Sequence, residues 1–248
     1  MPERAISVPR TARERARAEI TMEILDAGRR YLATEGAAGL SLRAIARDLG
    51  MASSAVYRYV ASRDELLTRL IIDAYDSLGA AAEASEVSVD RADLAGRWAA
   101  VCTAVRKWAI ANPNEYSLIY GSPVPGYVAP EDTIGPASRA SMLLVQILID
   151  AAASQRYVKP LAAPPQGAPV PAELRAALTP LRAVLPAEVP DTMIQNGLMV
   201  WSALFGVISF ELFGQYHNVV GENPGDRETF FAECVKRWAR QAGFATAS

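Results

Sequence analysis

Several residues between Ser41 and Leu67 carry side chains that can bind a nucleic acid. Arg43 can donate two parallel hydrogen bonds to the O6 and N7 atoms of guanine. Serine and tyrosine hydroxyls and further guanidinium groups can donate to phosphate oxygens. The candidate DNA contacts in this segment are Arg43, Ser53, Ser54, Ala55, Tyr57, Arg58, Tyr59 and Arg63. These residue types can read and hold a polyanion, but they do not include the positioned acid–base pair that catalysis usually needs.

Three short helices are predicted to position these side chains. Ser41 is expected to cap the first helix, and Gly50 ends it where a positive φ is favoured. Ser53 is expected to cap a second helix over residues 54–59, and Ser62 opens a third with an S-x-x-E capping box. Two short helices joined by a glycine-containing turn form a helix-turn-helix, whose second helix enters the DNA major groove.

Some of these contacts have a second interpretation. Ser53 either bonds the DNA or only caps its helix. Arg43 either reaches a base or stays solvated, and Tyr57 either meets a phosphate or packs into its own domain. Tyr59 is also expected to meet a phosphate, and Arg63, at a helix N-terminus, is expected to hold one beside the backbone amides.

The charge distribution separates the N-terminal part of the chain from the rest. Residues 1–70 hold 12 Arg and 9 acidic residues, although the formal net charge of the whole chain is −2 at pH 7. A basic segment on an acidic remainder suits a DNA-binding module attached to a body that does not touch DNA. A flexible basic arm is predicted over residues 1–14. Arg10, Arg13 and Arg15 either follow the DNA backbone or a minor groove, or belong to a disordered solubilising tail.

The remainder of the chain is predicted to be helical. Apolar residues recur at helical spacing, and no segment favours a strand. The predicted helices cover about 15–35, 62–84, 90–111, 115–120, 136–154, 173–185, 191–215 and 226–241, with Pro-rich loops at 121–130 and 160–171. The sequence therefore predicts an all-α protein, with a helix-turn-helix domain over 15–68 and a larger helical body over 69–248.

The helix predicted from residue 191 is apolar on two sides. Residues 192–210 carry no charge and approach the length that crosses a membrane. Gln195 and Asn196 lie within the segment and no basic clusters flank it, so a buried helix of a soluble protein is favoured. One stripe comprises Ile194, Leu198, Trp201, Phe205, Ile208 and Leu212; the other comprises Met193, Gly197, Val200, Leu204 and Val207. One is expected to pack on the body and the other against a second copy of the chain.

The sequence shows no motif for catalysis or metal binding. It has no G-x-S-x-G, no H-E-x-x-H, no phosphate loop and a single His, so neither a cofactor nor a metal is expected. Cys102 and Cys234 are too few for a disulfide framework and are expected to be buried, unreactive thiols. No apolar run of signal-peptide length opens the chain, which favours a cytoplasmic protein without a membrane segment. A small helical enzyme that uses Asp150 or His217 is the alternative.

A set of residues with characteristic spacing runs through the N-terminal part. These residues are Ile24 to Gly36, Leu42 to Ala46, Gly50, Val56 to Val60 and Arg63 to Leu67. In this pattern the chain resembles the TetR family of transcriptional regulators. Tyr59 replaces the usual His and Arg63 the usual Lys, and both can still donate to a phosphate. The resemblance implies a homodimer, a ligand cavity in the helical body, and release from DNA when that cavity fills.

The C-terminal part is similar to a ligand domain of some of these regulators over residues 116–130 and 201–206. Phe205 stands where a His is common. The resemblance implies a pocket lined by Trp98, Trp108, Tyr116, Tyr120, Met142, Gln146, Trp201 and Phe205. Plain core packing is the alternative for each of them. The resemblance further implies a repressor that binds operator DNA, dimerises through the helices near 192–215 and 226–241, and responds to a small apolar effector. An activator and a regulator without a ligand are alternatives.

Overall fold

The computed structural model describes residues 11–154, 170–183, 185–187, 189–221 and 223–242. Within those residues the regular structure is helical and contains no strand, which confirms the predicted all-α class. The helices are α1 (Ala12–Glu35), α2 (Leu42–Asp48), α3 (Ser53–Val56), α4 (Arg63–Val87), α5 (Leu94–Ala111), α6 (Pro113–Tyr120), α7 (Ile134–Ala153), α8 (Ala172–Ala177), α9 (Thr179–Arg182), α10 (Asp191–Leu212) and α11 (Pro224–Ala242). Short 3₁₀ turns occur at Ala37–Gly39 and Glu131–Thr133.

The chain divides into two compact units. The first comprises residues 1–74 and 114–134, and the second comprises residues 75–113 and 135–248. The predicted domains were instead divided after residue 68, with the segment that contains α6 assigned to the body. Helix α4 is continuous across the boundary between the units, so its N-terminal half belongs to the first and its C-terminal half to the second.

Helix α1 begins at Ala12, earlier than the predicted start at Arg15. The hydroxyl of Thr11 accepts the backbone N–H of Glu14 at 3.1 Å, and the Glu14 carboxylate accepts the N–H of Thr11 at 2.9 Å. This capping box satisfies two N–H groups that would otherwise lack partners. Residues 12–14 are therefore helical rather than part of a flexible arm, and Arg10 lies outside the described residues.

The core of the first unit joins the first four helices. Ile24, Ile45, Val56 and Leu66, one from each helix, are completely buried in a single cluster. Ser62 caps α4 as predicted, because its hydroxyl accepts the N–H of Glu65 at 3.0 Å. Burial of four such side chains, at about 1.5–3 kcal/mol each, is what holds the short helices α2 and α3 in place.

Two predicted helices of the body have different limits in the structure. The carboxylate of Asp93 accepts the N–H of Gly96 at 2.8 Å and caps α5, whereas Asp90, where the predicted helix starts, accepts the N–H of Ala92 in the preceding turn. The single helix predicted after the second Pro-rich loop is divided into α8 and α9. Pro180 lies in the first turn of α9, where its missing N–H cannot continue the earlier helix.

An ion-pair network joins α4, α5 and α7 within the second unit. The Nε of Arg97 donates to Glu86 Oε1 at 2.5 Å, and its Nη1 donates to Asp150 Oδ2 at 2.7 Å. Arg91 bonds the same two carboxylates, at 3.2 and 2.8 Å. The side chains of Arg97 and Glu86 are only 1% and 7% exposed. Because the charges are buried together, each one depends on its partners for compensation.

We expect this network to weaken in acid through Asp150. Burial raises the pKa of this carboxyl group, but hydrogen bonds from Gln146 and Arg97, together with the positive charges of Arg91 and Arg97, lower its pKa below the ordinary value of 3.8. A lowered pKa in the folded state adds stability above the unfolded-state pKa, and this stability is lost as the pH falls through the folded value. The free energy of unfolding of the wild type should therefore exceed that of Asp150→Asn most at neutral pH. Urea unfolding from about pH 7 down to pH 3 should show the gap closing in acid; a gap that is independent of pH would contradict the assignment.

Candidate DNA interface and ligand cavity

The turn between α2 and α3 fixes the direction of the two helices. Gly50 has φ of +63°, a conformation that a side chain would strain. The N–H of Met51 donates to the carbonyl of Ala46 at 2.8 Å and closes the turn. The apolar faces of both helices are buried, so their polar side chains remain on the surface.

Arg43, Ser53 and Ser54 are exposed on the surface of this helix-turn-helix. The prediction that Ser53 caps α3 was wrong: the N-cap is Ala52, and no side-chain hydrogen bond caps the helix. Helix α3 is also shorter than predicted and ends at Val56, because residues 57–59 form a hydrogen-bonded turn. The hydroxyl of Ser53 is therefore not used as a cap.

The residues of that turn divide into exposed and supported side chains. Tyr57 is 45% exposed, and Arg58 is exposed as well. Tyr59 is half-buried against the core of the unit, with the guanidinium of Arg17 lying 5.3 Å from its ring centroid. Arg17 also donates to the backbone carbonyl of Arg58 at 2.7 Å. The ring of Tyr59 thus supports the turn. Ala55, on α3, is half-buried.

Arg63 is bound within the protein rather than free at a helix N-terminus. Its Nη2 donates to the carbonyl of Ala37 at 2.9 Å, and its Nη1 lies 3.5 Å from a carboxylate oxygen of Asp64. The predicted phosphate contact therefore competes with a contact that ties the start of α4 to the first 3₁₀ turn. Among the predicted DNA contacts, the Arg63 guanidinium makes the most hydrogen bonds and ion pairs within the described part of the protein.

The structure adds one basic residue that the sequence analysis missed. Arg47 is exposed on α2, four residues after Arg43. Residues at this spacing share a helix face, which is the signal that could have identified it. Arg13 and Arg15 are also exposed, on the first turns of α1.

The second unit contains a cavity of about 210 Å³. Its walls come from α5, α7, α9 and α10 and from the segment that precedes α10. The lining residues are Trp98, Ser141, Met142, Leu144, Val145, Leu148, Leu181, Leu185, Val189, Ile194, Gly197, Leu198 and Trp201. Trp98, Met142 and Trp201 are three of the predicted pocket residues. Val145 and Leu148 follow Met142 at intervals of three on the same helix face, a spacing that the sequence analysis did not use.

The other five predicted pocket residues do not line this cavity. Trp108 is buried and donates from Nε1 to Ser77 at 2.9 Å, and Gln146 is exposed and donates to Asp150. Phe205 packs against Trp201, with ring centroids 5.6 Å apart. Tyr116 and Tyr120 pack against each other in the first unit, with ring centroids 5.1 Å apart. For Trp108 the structure supports the core interpretation, because apolar periodicity does not distinguish a core face from a cavity wall.

One wall of the cavity is held to α4 by Arg139. This residue of α7 donates to both carboxylate oxygens of Glu83, at 2.8 and 2.6 Å, and to Asp76 Oδ1 at 2.7 Å. Gly79 lies between the two acids on α4, and a Cβ at that position would come within 2.8 Å of the Arg139 side chain. The glycine therefore leaves room for the arginine against the helix. Hydrogen bonding to Glu83, with Asp76, raises the pKa of Arg139 despite burial.

Helix α10 also carries a third stripe, whose residues belong to neither of the two predicted stripes. Met193, Val200 and Leu204 are buried in the body, and Ile194 and Trp201 line the cavity. Leu198 and Trp201 of the first predicted stripe are 40% and 38% exposed. That one of the two predicted stripes meets a second copy of the chain stays a prediction. The third stripe consists of the exposed Met199, Ser202 and Phe210 and the half-buried Gly206, followed by the exposed Phe213 directly after the helix. Phe230 of α11 continues it, because Tyr216 makes ring contacts with both Phe210 and Phe230. We call these residues the outer stripe.

Length and composition alone would also allow α10, among the described helices, to cross a membrane. It packs against α5 and α11 through its buried side chains. Such packing is typical of a helix that has one side on a helical body.

The remaining candidate residues do not assemble into a reactive centre. Asp150 is held by arginines in the ion-pair network, and neither it nor His217 lines the cavity. Burial raises the pKa of the Cys102 thiol and, in the half-buried Cys234, also raises the thiol pKa, which disfavours the reactive thiolate. In the described residues, no three His, Cys, Asp or Glu side chains are grouped closely enough to hold a metal ion.

A glycine-turn helix pair with exposed arginines and serines, on an otherwise helical chain, defines a helix-turn-helix DNA-binding protein. Comparison with known proteins makes the class more specific. Residues 24–70 match the family described as bacterial regulatory proteins, tetR family. Residues 98–238 match the tetracyclin repressor-like C-terminal domain. The chain belongs to the TetR family of DNA-binding transcriptional regulators.

Curated relatives and solved structures agree with this assignment. The chain is 42% identical over 221 residues to the HTH-type transcriptional regulators Mb1846 of Mycobacterium bovis and Rv1816 of Mycobacterium tuberculosis, covering 86% of this chain and 89% of theirs. The crystal structure of the regulatory protein SCO4313 has a TM-score of 0.70 and 35% identity, over 92% of this chain and 98% of that one. A tetR-family regulatory protein from Rhodococcus RHA1 has the same fold, with a TM-score of 0.57 and 19% identity over 91% and 98% of the two chains.

Proposed function

We propose that the protein is a cytoplasmic homodimeric repressor that leaves its operator when a small apolar molecule fills the cavity of the second unit. The observation that carries this proposal is the pairing of an exposed helix-turn-helix with an apolar cavity in one chain. As in other dimeric helix-turn-helix proteins, the two α3 helices would read half-sites about 34–36 Å apart, or a multiple of that distance.

The outer stripe supports a homodimer. Met199 and Phe210 are 51% and 53% exposed, which is a large apolar exposure for one helix. Gly206 lies between them, and a Cβ at that position would meet no atom within 4 Å. A glycine inside a helix costs about 1 kcal/mol relative to alanine, so its presence calls for a reason outside the protomer. Close approach of a second α10 supplies that reason.

The position of α7 supports release by a ligand. This helix contributes Ser141, Met142 and Val145 to the cavity wall, and two residues before Ser141 its Arg139 holds Asp76 and Glu83 of α4. Because α4 continues into the helix-turn-helix unit, a ligand that displaces α7 can change the state of α4. A ligand shifts this equilibrium only by the difference between its affinities for the two states.

Arg43 provides the first test of the DNA contacts. We expect Arg43→Ala to weaken operator binding by about 1–3 kcal/mol and to relax base preference at one position of each half-site, because a bidentate bond to guanine is lost. Arg47→Ala should instead weaken binding to all sequences alike, since a phosphate contact carries no base preference. Fluorescence anisotropy on operators with single base changes measures both effects.

The control for these variants is Lys107→Ala, which removes one exposed positive charge from α5 outside the helix-turn-helix. Its operator affinity should match that of the wild type. If Arg43→Ala binds with unchanged affinity and unchanged base preference, Arg43 makes no base contact.

Repression is tested in the cell. A reporter fused to the promoter that the protein binds should rise in expression when the gene for the protein is deleted. It should fall again when the wild-type gene, but not the Arg43→Ala gene, is restored. A fall on deletion would show an activator and would reject the repressor.

A further inference from the structure

The cavity contains no charged lining side chain among the described residues. The two arginines nearest to it in sequence are already occupied. Arg97, next to Trp98, is bound by Glu86 and Asp150, and Arg182, next to Leu181, donates to the backbone carbonyls of Pro186 and Val189. A charged ligand would therefore lose its hydration without gaining a partner, which costs several kcal/mol.

The size of the cavity suits a ligand of one or two rings. Its volume of about 210 Å³ exceeds the roughly 150 Å³ of an apolar cavity that holds benzene. It is smaller than the roughly 300–1,000 Å³ of pockets for drug-sized molecules. Trp98 and Trp201 supply aromatic surfaces and Met142 a thioether, all of which pack well against a ring.

Ser141 adds one polar requirement to this apolar lining. Its hydroxyl donates to the backbone carbonyl of Ser138 at 2.9 Å. A hydroxyl has one proton to donate, so while this bond is kept Ser141 Oγ offers a ligand a hydrogen-bond acceptor. A hydroxyl on the ligand can donate a hydrogen bond to Ser141 Oγ, whereas an ether or a ketone has no proton to donate.

We propose that the cavity binds an uncharged molecule of one or two rings that carries a hydroxyl group, and that this hydroxyl donates a hydrogen bond to Ser141 Oγ. This inference rests on the proposed function in one respect, which is that the cavity of the second unit is the effector site. It adds the chemical class of the effector and the residue that selects it.

The test uses naphthalene and three derivatives of it, each of which carries one substituent at the same carbon. These probes are naphthalene, naphthol, methoxynaphthalene and naphthoate, titrated into the full-length protein by calorimetry in the absence of DNA. Naphthol should bind about three- to tenfold more tightly than naphthalene and methoxynaphthalene, as one neutral hydrogen bond allows. Naphthoate should bind at least about a hundredfold more weakly than naphthol, because its charge is desolvated without a partner.

Ser141→Ala should remove the preference for naphthol and leave the affinity for naphthalene unchanged. Ser138→Ala is the matched control, because Ser138 makes the same kind of bond to a carbonyl of α7, that of Gly135, but does not line the cavity. It should keep the preference for naphthol. Naphthoate binding as tightly as naphthol, an unchanged preference in Ser141→Ala, or binding of none of the probes would overturn the proposal.

A parallel assay separates this inference from the proposed function. The same probes are added to the protein bound to labelled operator DNA, and release is measured by anisotropy. Naphthol that binds at Ser141 without releasing DNA would support the ligand class and reject the effector role. Release of DNA by other molecules, with no naphthol binding, would reject the ligand class alone.

Discussion

Gly206→Leu is expected to turn the protein into a monomer and to reduce operator affinity by about 10²–10⁴-fold. A Cβ at this position would meet no atom of the protomer within 4 Å, so we expect the fold to tolerate the substitution. Helix α10 itself should gain up to about 1 kcal/mol, because leucine is a better helix former than glycine. Two α10 helices that pack closely through the outer stripe cannot hold a leucine at each Gly206. Loss of the dimer removes the gain from binding two half-sites at once.

Light scattering after size-exclusion chromatography measures the mass, and anisotropy measures the affinity. Gly206→Ala is the matched control, because a methyl group is small enough for close helix packing, and it should remain dimeric. A wild-type protein that is monomeric, or a Gly206→Leu variant that stays dimeric with full operator affinity, would show that the outer stripe is not the dimer interface.

Arg97→Met should lower the free energy of unfolding by about 3–5 kcal/mol, because it leaves the buried carboxylate of Glu86 without its main partner. Arg91 also bonds Glu86, at 3.2 Å, but its side chain is 66% exposed and cannot replace a buried guanidinium. The double variant Arg97→Met with Glu86→Leu should recover most of the loss, since it removes both buried charges. Nη2 of Arg97 is itself buried without a hydrogen-bond partner, which adds to the advantage of an apolar replacement.

Urea unfolding at one fixed protein concentration measures these differences, because the stability of a dimer depends on concentration. Lys236→Met is the control, since it breaks an exposed ion pair with Glu233 and should change stability by less than about 1 kcal/mol. A single Arg97→Met variant as stable as this control would show that the network does not hold the second unit together.

The helices of the first unit could be predicted because their signals are local. Ser41, Gly50 and Ser62 act through hydrogen bonds or φ angles within a few residues, and the structure has each of them in the predicted role. Thr11 and Glu14 form the same kind of local signal, and overlooking it placed the start of α1 too late. Ser53 was assigned as a cap because serine is a common N-cap, but the chain enters α3 one residue earlier, at Ala52.

The cavity and the outer stripe could not be predicted with the same success because they depend on which helices meet. An apolar residue such as Trp108 or Val145 shows the same helical spacing in the sequence whether it faces a core, a cavity or another subunit. For α10 the sequence indicated an excess of apolar surface, but not which of its faces stays exposed. The ion pairs of Arg97 with Asp150 and of Arg139 with Asp76 join residues 53 and 63 positions apart, and no local pattern indicates such partners.

Binding of the purified protein to the DNA that flanks its own gene, at moderate salt and with excess competitor DNA, tests the central claim most directly. We expect a discrete complex that resists the competitor and that Arg43→Ala weakens. If no complex resists the competitor, and selection from random sequences also enriches no site, the protein is not a sequence-specific DNA-binding regulator.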